Sequence, residues 1–294
     1  MKILILGGGG REHALAWAVS QNPKCEDLFC APGNAGIEKL ATCVALNILD
    51  KNSVVDFCKK NKISFVIIGS EAPLEIGIAD ALESEEILTF GPSSKGSLLE
   101  SSKAFTKEVC RLGKIPTAPS RFFNKEHEAI DFINASNLPI VIKADGLAAG
   151  KGVTIAASRE SAFVAIKDLF GGKFGSAGKS VIVEDFLEGE EASFFVLCDG
   201  QNILPLGTAQ DHKRAFDGEK GPNTGGMGAY SPATVISKVV EERILSLIIK
   251  PTIQIMNSKG IKFKGVLYAG LMIKNEQPTL LEYNVRFGDP ECQV

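Results

Sequence analysis

The sequence predicts an α/β protein: a doubly wound N-terminal domain over residues 1–100, then a second α/β domain over 101–294. Three observations carry this. Short, wholly apolar runs at 2–6, 28–31 and 64–68 alternate with helix-patterned segments, as parallel strands covered on both faces should. Each run is followed by turn chemistry: "GGGG" (7–10), "APGNAG" (31–36) and "GSEAPL" (69–74). The 294 residues, 45% hydrophobic and 23% charged, suffice for two or three domains at ~100–200 residues each.

The elements follow in order. Helices are expected around 12–20 and 53–61 between the apolar runs. The loops after the strands lie at one end of the sheet, where open α/β folds collect ligands. A helical stretch opens within 91–107, with Ser101 or Ser102 capping or interrupting it. The segment "GKIPTAPSRFF" (113–123), with two prolines, reads as a linker or hinge. Beyond it the pattern predicts a helix near 125–135, a strand 140–143, a glycine-rich loop 146–152, a strand 153–156, a helix near 158–169 and a strand 180–184. A polar, glycine-rich stretch at 207–229 reads as a long irregular loop. A helix over 236–259 should be kinked or split by Pro251. Strands 265–273 and 279–284 close the chain around a turn at "NEQP" (275–278).

Bulk properties exclude several classes. A net charge of -3 offers no overall basic footprint for nucleic acid. No apolar run approaches the ~20 residues that span a bilayer. The N-terminus reads as a buried strand rather than a signal peptide. Seven cysteines, an odd number without CxxC spacing, argue against zinc or disulfide frameworks and for reduced thiols in a cytoplasmic protein. His13, His127 and His212 are too dispersed to mark a metal cluster.

Five segments could carry chemistry. The first glycine run fails the dinucleotide fingerprint, because its third glycine position falls on Glu12 or His13. A strand–glycine–helix turn still aims backbone N–H groups at an anion, and Arg11 adds a charged donor. The expected ligand there is a phosphate, against a tight turn with no ligand. "VIKADGLAAGKGV" (141–153) is one residue short of a Walker loop and reads as a flexible flap carrying Lys143 and Lys151, or as a solvated turn. Lys143 ends an apolar strand, where a lysine is costly unless it meets an anion. "SVIVEDFLEGEEASFFVL" (180–197) offers backbone around 185–187 for a base edge and Glu191 for ribose, though acidic runs usually form solvated turns. "AQDHKRAFDGEKGPNTGGMGAYSP" (209–232) packs both charge signs, including Asp211, Lys213, Arg214 and Lys220, beside Asn223 and Thr224; this suits a zwitterionic, amino-acid-like substrate and phosphates. In "TLLEYNVRFGDPE" (279–291), Glu282 and Asn284 share one strand face with Arg286. Two oxygen ligands completed by nucleotide phosphates make a magnesium site; the alternative is a salt bridge to Arg286.

These words resemble the ATP-grasp superfamily and, within it, the phosphoribosylamine–glycine ligase (glycinamide ribonucleotide synthetase) family. "GGREHA", "APGN", "EAPL", "SKAF", "KADGLAAGKGV", "FLEGEEAS", "QDHKR", "GPNTGGMGAYSP" and "NVRFGDPE" carry the resemblance from one end of the chain to the other. It implies an ATP-grasp fold with a mobile lid at about 120–190. It also implies a reaction: glycine, 5-phosphoribosylamine and ATP give glycinamide ribonucleotide, ADP and phosphate, through a glycyl phosphate. On the same ground, Lys103, Lys143, Gly150, Lys151 and Gly152 meet ATP phosphates, Glu184 and Leu187 hold adenine, and Glu191 holds ribose. Glu282 and Asn284 ligate Mg2+ or Mn2+. Gly9, Gly10, Arg11, Asn34 and Glu71, with Asn223, Thr224 and Gly225, hold substrate, and Asp211, Lys213 and Arg286 lie near the reacting groups. The implied partners are small molecules only, with no nucleic acid or membrane, and the protein is a monomer or weak homo-oligomer. The family continues for about another domain beyond "RFGDPECQV", so its C-terminal domain is expected to be absent. The rival readings are another ATP-grasp carboxylate–amine ligase, a bicarbonate-activating carboxylase, and an ATP-binding fragment without turnover.

Overall fold

The computed structural model describes residues 1–147, 152–173, 175–217 and 220–294, with side chains described except at 176, 213, 214 and 220–226. The N-terminal third is a parallel sheet. Strand β1 (Lys2–Gly7) lies between β2 (Asp27–Pro32) and β4 (Phe65–Ile68), flanked by β3 (Thr42–Cys43) and β5 (Leu88–Phe90), in the order β3-β2-β1-β4-β5. Helix α1 (Gly10–Ser20) covers the face that carries Ile3, Ile5 and Ile67. Helices α2 (Lys51–Asn61), α3 (Glu71–Glu75) and α4 (Ile78–Ser84) cover the face with Leu4, Leu6, Val66 and Ile68. Burial on both sides explains the unbroken apolar runs. "GSEAPL" is therefore less a loop than the start of α3.

Helix α5 (Ser94–Ser101) stops at Ser102, whose side chain accepts from Phe105 N and starts α6 (Lys103–Gly113). One serine thus ends one helix and caps the next. The proline-rich linker is pinned rather than free: Leu280 N donates to Pro116 O at 2.8 Å, and its last residues form strand β6 (Ser120–Phe123).

A second, antiparallel sheet contains β6, β7 (Ile140–Ala144), β8 (Val153–Ala156) and β9 (Val181–Asp185), in the order β6-β9-β7-β8. Helices α7 (Glu126–Ala135) and α8 (Arg159–Phe170) pack on it and enclose a core of their own around Ile133, Ile142, Ile166 and Val183.

The third sheet runs β12-β11-β10-β13-β14, from β10 (Glu190–Asp199), β11 (Ile203–Phe216), β12 (Lys220–Tyr230), β13 (Lys264–Lys274) and β14 (Gln277–Asn284). The stretch 207–229, expected as an irregular loop, is instead a hairpin of β11 and β12, with register shifts near His212 and Arg214. Its polar, glycine-rich composition hid the strands, because this edge hairpin lacks the apolar alternation of a half-buried strand. The β13–β14 turn is tighter than "NEQP": Asn275 and Glu276 alone take positive φ (52° and 58°), and Lys274 pairs with Gln277. Pro251 falls where a π-turn (Leu245–Ile249) separates α9 (Lys238–Ile244) from α10 (Lys250–Ser258). The wide turn accommodates the missing N–H and the ring without ending the helical run.

One continuous core joins the parallel sheet, α5, α6, α9, α10 and the inner face of β10 and β13, through Leu99, Phe194, Phe263 and Tyr283. Among the described residues no helix is long and apolar enough to cross a membrane. Phe194 is 1% exposed at the centre of this core. Phe194→Ala is expected to lower the unfolding free energy by about 3–5 kcal/mol, read from urea titration.

Candidate functional site

The carboxyl ends of β1 and β4 meet the end of β14, and there the structure gathers charge. Arg11 is buried. Its Nε pairs with Glu12 Oε1 at 2.8 Å, NH1 donates to Phe287 O at 3.2 Å, and NH2 lies 3.8 Å from Glu71 Oε2. Arg286 completes the cluster: NH2 pairs with Glu71 Oε1 at 2.7 Å and Glu100 Oε1 at 3.0 Å, and donates to Asn284 Oδ1 at 3.1 Å. Glu71 thus bridges two arginines. Burial alone would raise its pKa, but Arg286 and Arg11 outweigh that and hold it below the usual value. Glu100 moves the other way, because its deeper burial exceeds the pull of Arg286.

The glycine run has a packing reason of its own. An added Cβ at Gly7 would fall 2.5 Å from Glu12 Cδ, and one at Gly8 2.6 Å from Gly33 O. Gly9 N donates to Glu12 Oε2 at 2.6 Å, and Arg11 N to Asp289 Oδ2 at 3.2 Å. The start of α1 therefore faces a carboxylate. Asn34 holds its loop: its Oδ1 accepts from Gly36 N and Ile37 N, and its amide donates to Gly8 O. One amide N–H remains for a ligand.

A second cluster joins the second sheet to the rest. Lys143 and Glu184 share one face of the paired strands β7 and β9, and Lys143 Nζ lies 2.6 Å from Glu184 Oε2. The anion that this buried lysine requires is thus supplied by the protein. Lys107 on α6 holds the other oxygen, Glu184 Oε1, at 2.8 Å. Its remaining donors go to Thr117 Oγ1 at 2.8 Å and Ala118 O at 2.9 Å. Asp145 Oδ1 accepts from Lys103 N and Ala104 N at the start of α6, and Lys103 Nζ donates to Gly146 O. Burial lowers the pKa of Lys103, opposed chiefly by the charge of Glu282.

Between these clusters one face of the third sheet forms a pocket lined by Glu191, Ser193, Asp211, Tyr268, Gly270 and Glu282, among others. Register explains the grouping: Ser193 lies opposite Gly270, and Gly270 opposite Glu282. Tyr268 lies opposite Asn284 one step along, so Glu282 and Asn284 do share this face. Among the described residues no group of three or more His, Cys, Asp or Glu could hold a metal alone. A carboxylate and an amide oxygen side by side suit a hard cation whose remaining ligands come from phosphate and water.

The structure therefore brings together Lys103, Lys143 and Glu184; Asp211, Glu191 and Glu282; and Arg11, Glu71, Asn284 and Arg286. Gly9 and Gly10 sit at the α1 start, with Asn34 beside Gly8. Gly152 is buried and its carbonyl accepts from Ala144 N, while Leu187 is half-buried beyond β9. Gly150 and Lys151 lie outside the described residues, as do the side chains of Lys213, Asn223, Thr224 and Gly225. Sequence reasoning missed Lys107, Glu100, Asp289 and Asp145. Only Lys107 left a local signal, four residues after Lys103 on the same helix.

Two family profiles tile the chain. The one described as "Phosphoribosylglycinamide synthetase, N domain" matches 1–100, and "Phosphoribosylglycinamide synthetase, ATP-grasp (A) domain" matches 101–292. The phosphoribosylamine–glycine ligase of Rhizobium meliloti is 54% identical over 294 residues, covering 100% of this chain and 70% of that protein. The chloroplastic enzyme of that name from Arabidopsis thaliana is 54% identical, over 97% of this chain and 54% of its own length. The crystal structure of the Thermotoga maritima phosphoribosylamine–glycine ligase superposes with a TM-score of 0.86 at 33% identity, covering 100% of this chain and 71% of that one. A Campylobacter jejuni biotin carboxylase in complex with an ATP analogue shares the fold alone, with a TM-score of 0.76 at 16% identity over 99% of this chain and 66% of that one.

Two outcomes test these clusters. Lys107→Ala removes one of the two buried lysines on Glu184, leaves Lys143, and is expected to cost about 1–3 kcal/mol in urea unfolding. Glu71 has a depressed folded pKa, so its ionised form stabilises above the ordinary glutamate value of 4.5, and that contribution is lost as pH falls through the lower folded value. The stability difference between the wild type and Glu71→Gln should be constant above that range and shrink below it; a difference that does not vary with pH would show that the charge of Glu71 contributes nothing.

Proposed function

The chain belongs to the phosphoribosylglycinamide synthetase family, and from that we propose that it joins glycine to 5-phosphoribosylamine with conversion of ATP to ADP and phosphate. The observation that carries this reading is the pocket itself: it is small and carboxylate-rich, and the charge of Glu282 in its lining acts on both Lys103 and Arg286.

The chemistry follows from the weakness of a carboxylate as an electrophile. A glycine carboxylate oxygen attacks the γ-phosphorus, the bond to the β-phosphate oxygen breaks, and ADP leaves with glycyl phosphate formed. The amine nitrogen of phosphoribosylamine then attacks the glycyl carbonyl. The C–O bond to phosphate breaks, phosphate leaves, and the nitrogen loses a proton to give the amide. Catalysis in such a sequence is mostly positioning and charge neutralisation.

In this reading Lys103 and Lys143, with Gly150, Lys151 and Gly152, meet the ATP phosphates. Lys143 then exchanges part of its pairing with Glu184 for phosphate. Glu184 and Leu187 take the adenine edge and Glu191 the ribose. Gly9, Gly10, Arg11, Asn34 and Glu71, with Asn223, Thr224 and Gly225, hold the amine substrates, and Asp211, Lys213 and Arg286 lie beside the reacting atoms. Glu282 and Asn284 hold Mg2+ or Mn2+, which when bound offsets the phosphate charge. The lid is about 120–190, within an ATP-grasp domain spanning 101–294 that follows the doubly wound domain 1–100; the separate hydrophobic core of the lid supports this division. The protein acts on small molecules in the cytoplasm, as a monomer or weak homo-oligomer.

ADP release is expected to need both glycine and freshly generated phosphoribosylamine; release dependent on bicarbonate instead would favour a carboxylase. Glu282→Gln should reduce magnesium-dependent turnover by more than the ~10–100-fold typical of an outer-shell partner, with little change in thermal midpoint. Unchanged turnover would remove Glu282 from the metal site.

A further inference from the structure

One buried group beside the pocket has no role in the reading above. Glu291, 8% exposed, follows the "RFGDP" turn and reaches under the third sheet. Among the described residues its partners are two hydroxyls rather than a lysine or arginine. Tyr268 OH donates to Glu291 Oε1 at 2.7 Å, and Ser193 Oγ lies 3.1 Å from the same oxygen and 2.9 Å from Tyr268 OH. Tyr268 and Ser193 are themselves nearly buried, at 6% and 5% exposure, and both line the pocket.

The chemistry of these three groups is directional. A carboxylate only accepts, whereas a hydroxyl can donate or accept. Facing Glu291, the phenol proton must point to the carboxylate, and the serine proton must point to the carboxylate or the phenol oxygen. Both protons are drawn away from the pocket. Burial also pushes the phenol far above its ordinary pKa, so it remains a donor. The serine oxygen therefore turns lone pairs toward the pocket. That wall becomes an acceptor surface.

The floor carries no side chain. Gly270 lies directly opposite both Ser193 and Glu282, and an added Cβ there would stand 3.4 Å from Glu282 Cγ. An acceptor-lined recess with a glycine floor suits a small cationic group with three donors.

We propose that this recess receives the α-ammonium group of the amino-acid substrate, and that Glu291 is a positioning residue that sets the polarity of Ser193 and Tyr268 toward it. The inference rests on the ligase reading and deepens it, by naming which end of glycine the sheet holds. Glu291→Gln would let the amide donate, free the hydroxyl protons to rotate into the pocket, and present donors to a cation. Ser193→Ala would remove the acceptor while leaving the carboxylate and phenol in contact.

The test is calorimetric titration of glycine into the chain saturated with magnesium and a non-hydrolysable ATP analogue. Acetate, which has the carboxylate but no ammonium, is the second probe. In both variants glycine affinity is expected to fall about tenfold. Affinities for the ATP analogue and for acetate should stay at wild-type values. Wild-type glycine affinity in both variants would overturn the inference and leave the ligase reading standing. A parallel fall for acetate would show a merely structural network and also overturn it. A wild type that binds the ATP analogue but not glycine would overturn both.

Discussion

The interaction on which this molecule depends most is the clasp of Arg286 by Glu71 and Glu100. Glu71 begins α3 at the end of parallel strand β4, Glu100 ends α5, and Arg286 follows the edge strand of the antiparallel sheet. One guanidinium therefore fastens three elements distant in sequence. Burying charge carries a desolvation cost that the pairing only roughly offsets, so the clasp adds little net stability. What it does fix is geometry: Glu71, Glu100 and Asn284 all converge on one nitrogen, NH2, of a single guanidinium. Asn284, which shares that guanidinium, is oriented by it, and with Asn284 the face of β14 that carries Glu282. The hydrophobic core brings the layers together; the clasp sets how their polar edges face one another.

The second sheet obeys a different logic. It has its own helices and core, and it meets α6 at two places, Glu184 at Lys107, and Asp145 and Gly146 at Lys103. Three acceptors use all three donors of Lys107, so this lysine is a rivet. Lys143 differs, since its contacts are one carboxylate oxygen and a long bond to Leu281 O at 3.4 Å. Of the two lysines on Glu184, Lys107 is therefore the one fixed on every side, and Lys143 the one with donor capacity to spare.

How much of this was legible in the sequence depended on the range of the cause. Parallel strands β1, β2 and β4 were plain, because burial on both faces writes itself as an unbroken apolar run. A serine that caps or interrupts the helix was legible at 101 or 102, because capping is local, and the structure assigns it to Ser102. The β11–β12 hairpin was not, since an edge hairpin with polar faces has no hydrophobic period to read. That Lys143 needs an anion could be argued from its strand. That the anion is Glu184, with Lys107 behind it, could not, because β7, β9 and α6 meet only in the folded chain. Gly270 and Tyr268 likewise read as ordinary strand residues until register set them opposite Glu282 and Asn284.

The opening glycines show how a motif and a packing constraint can coincide. Gly7, Gly8 and Gly69 are required by their neighbours, since Cβ atoms there would collide with Glu12 or with Gly33 O. That alone would account for the run without any ligand. Yet the same arrangement leaves the start of α1 facing an anion, and the molecule already places one there, the carboxylate of Asp289. Helix N-termini favour negative charge through their unpaired N–H groups and aligned dipoles. The position at this end is held by a carboxylate of the "RFGDPE" turn. That turn also carries Phe287 O, the acceptor for both Arg11 and Arg286. The glycine run and the turn at the far end of the chain are in this sense one device, and neither can be read for function without the other.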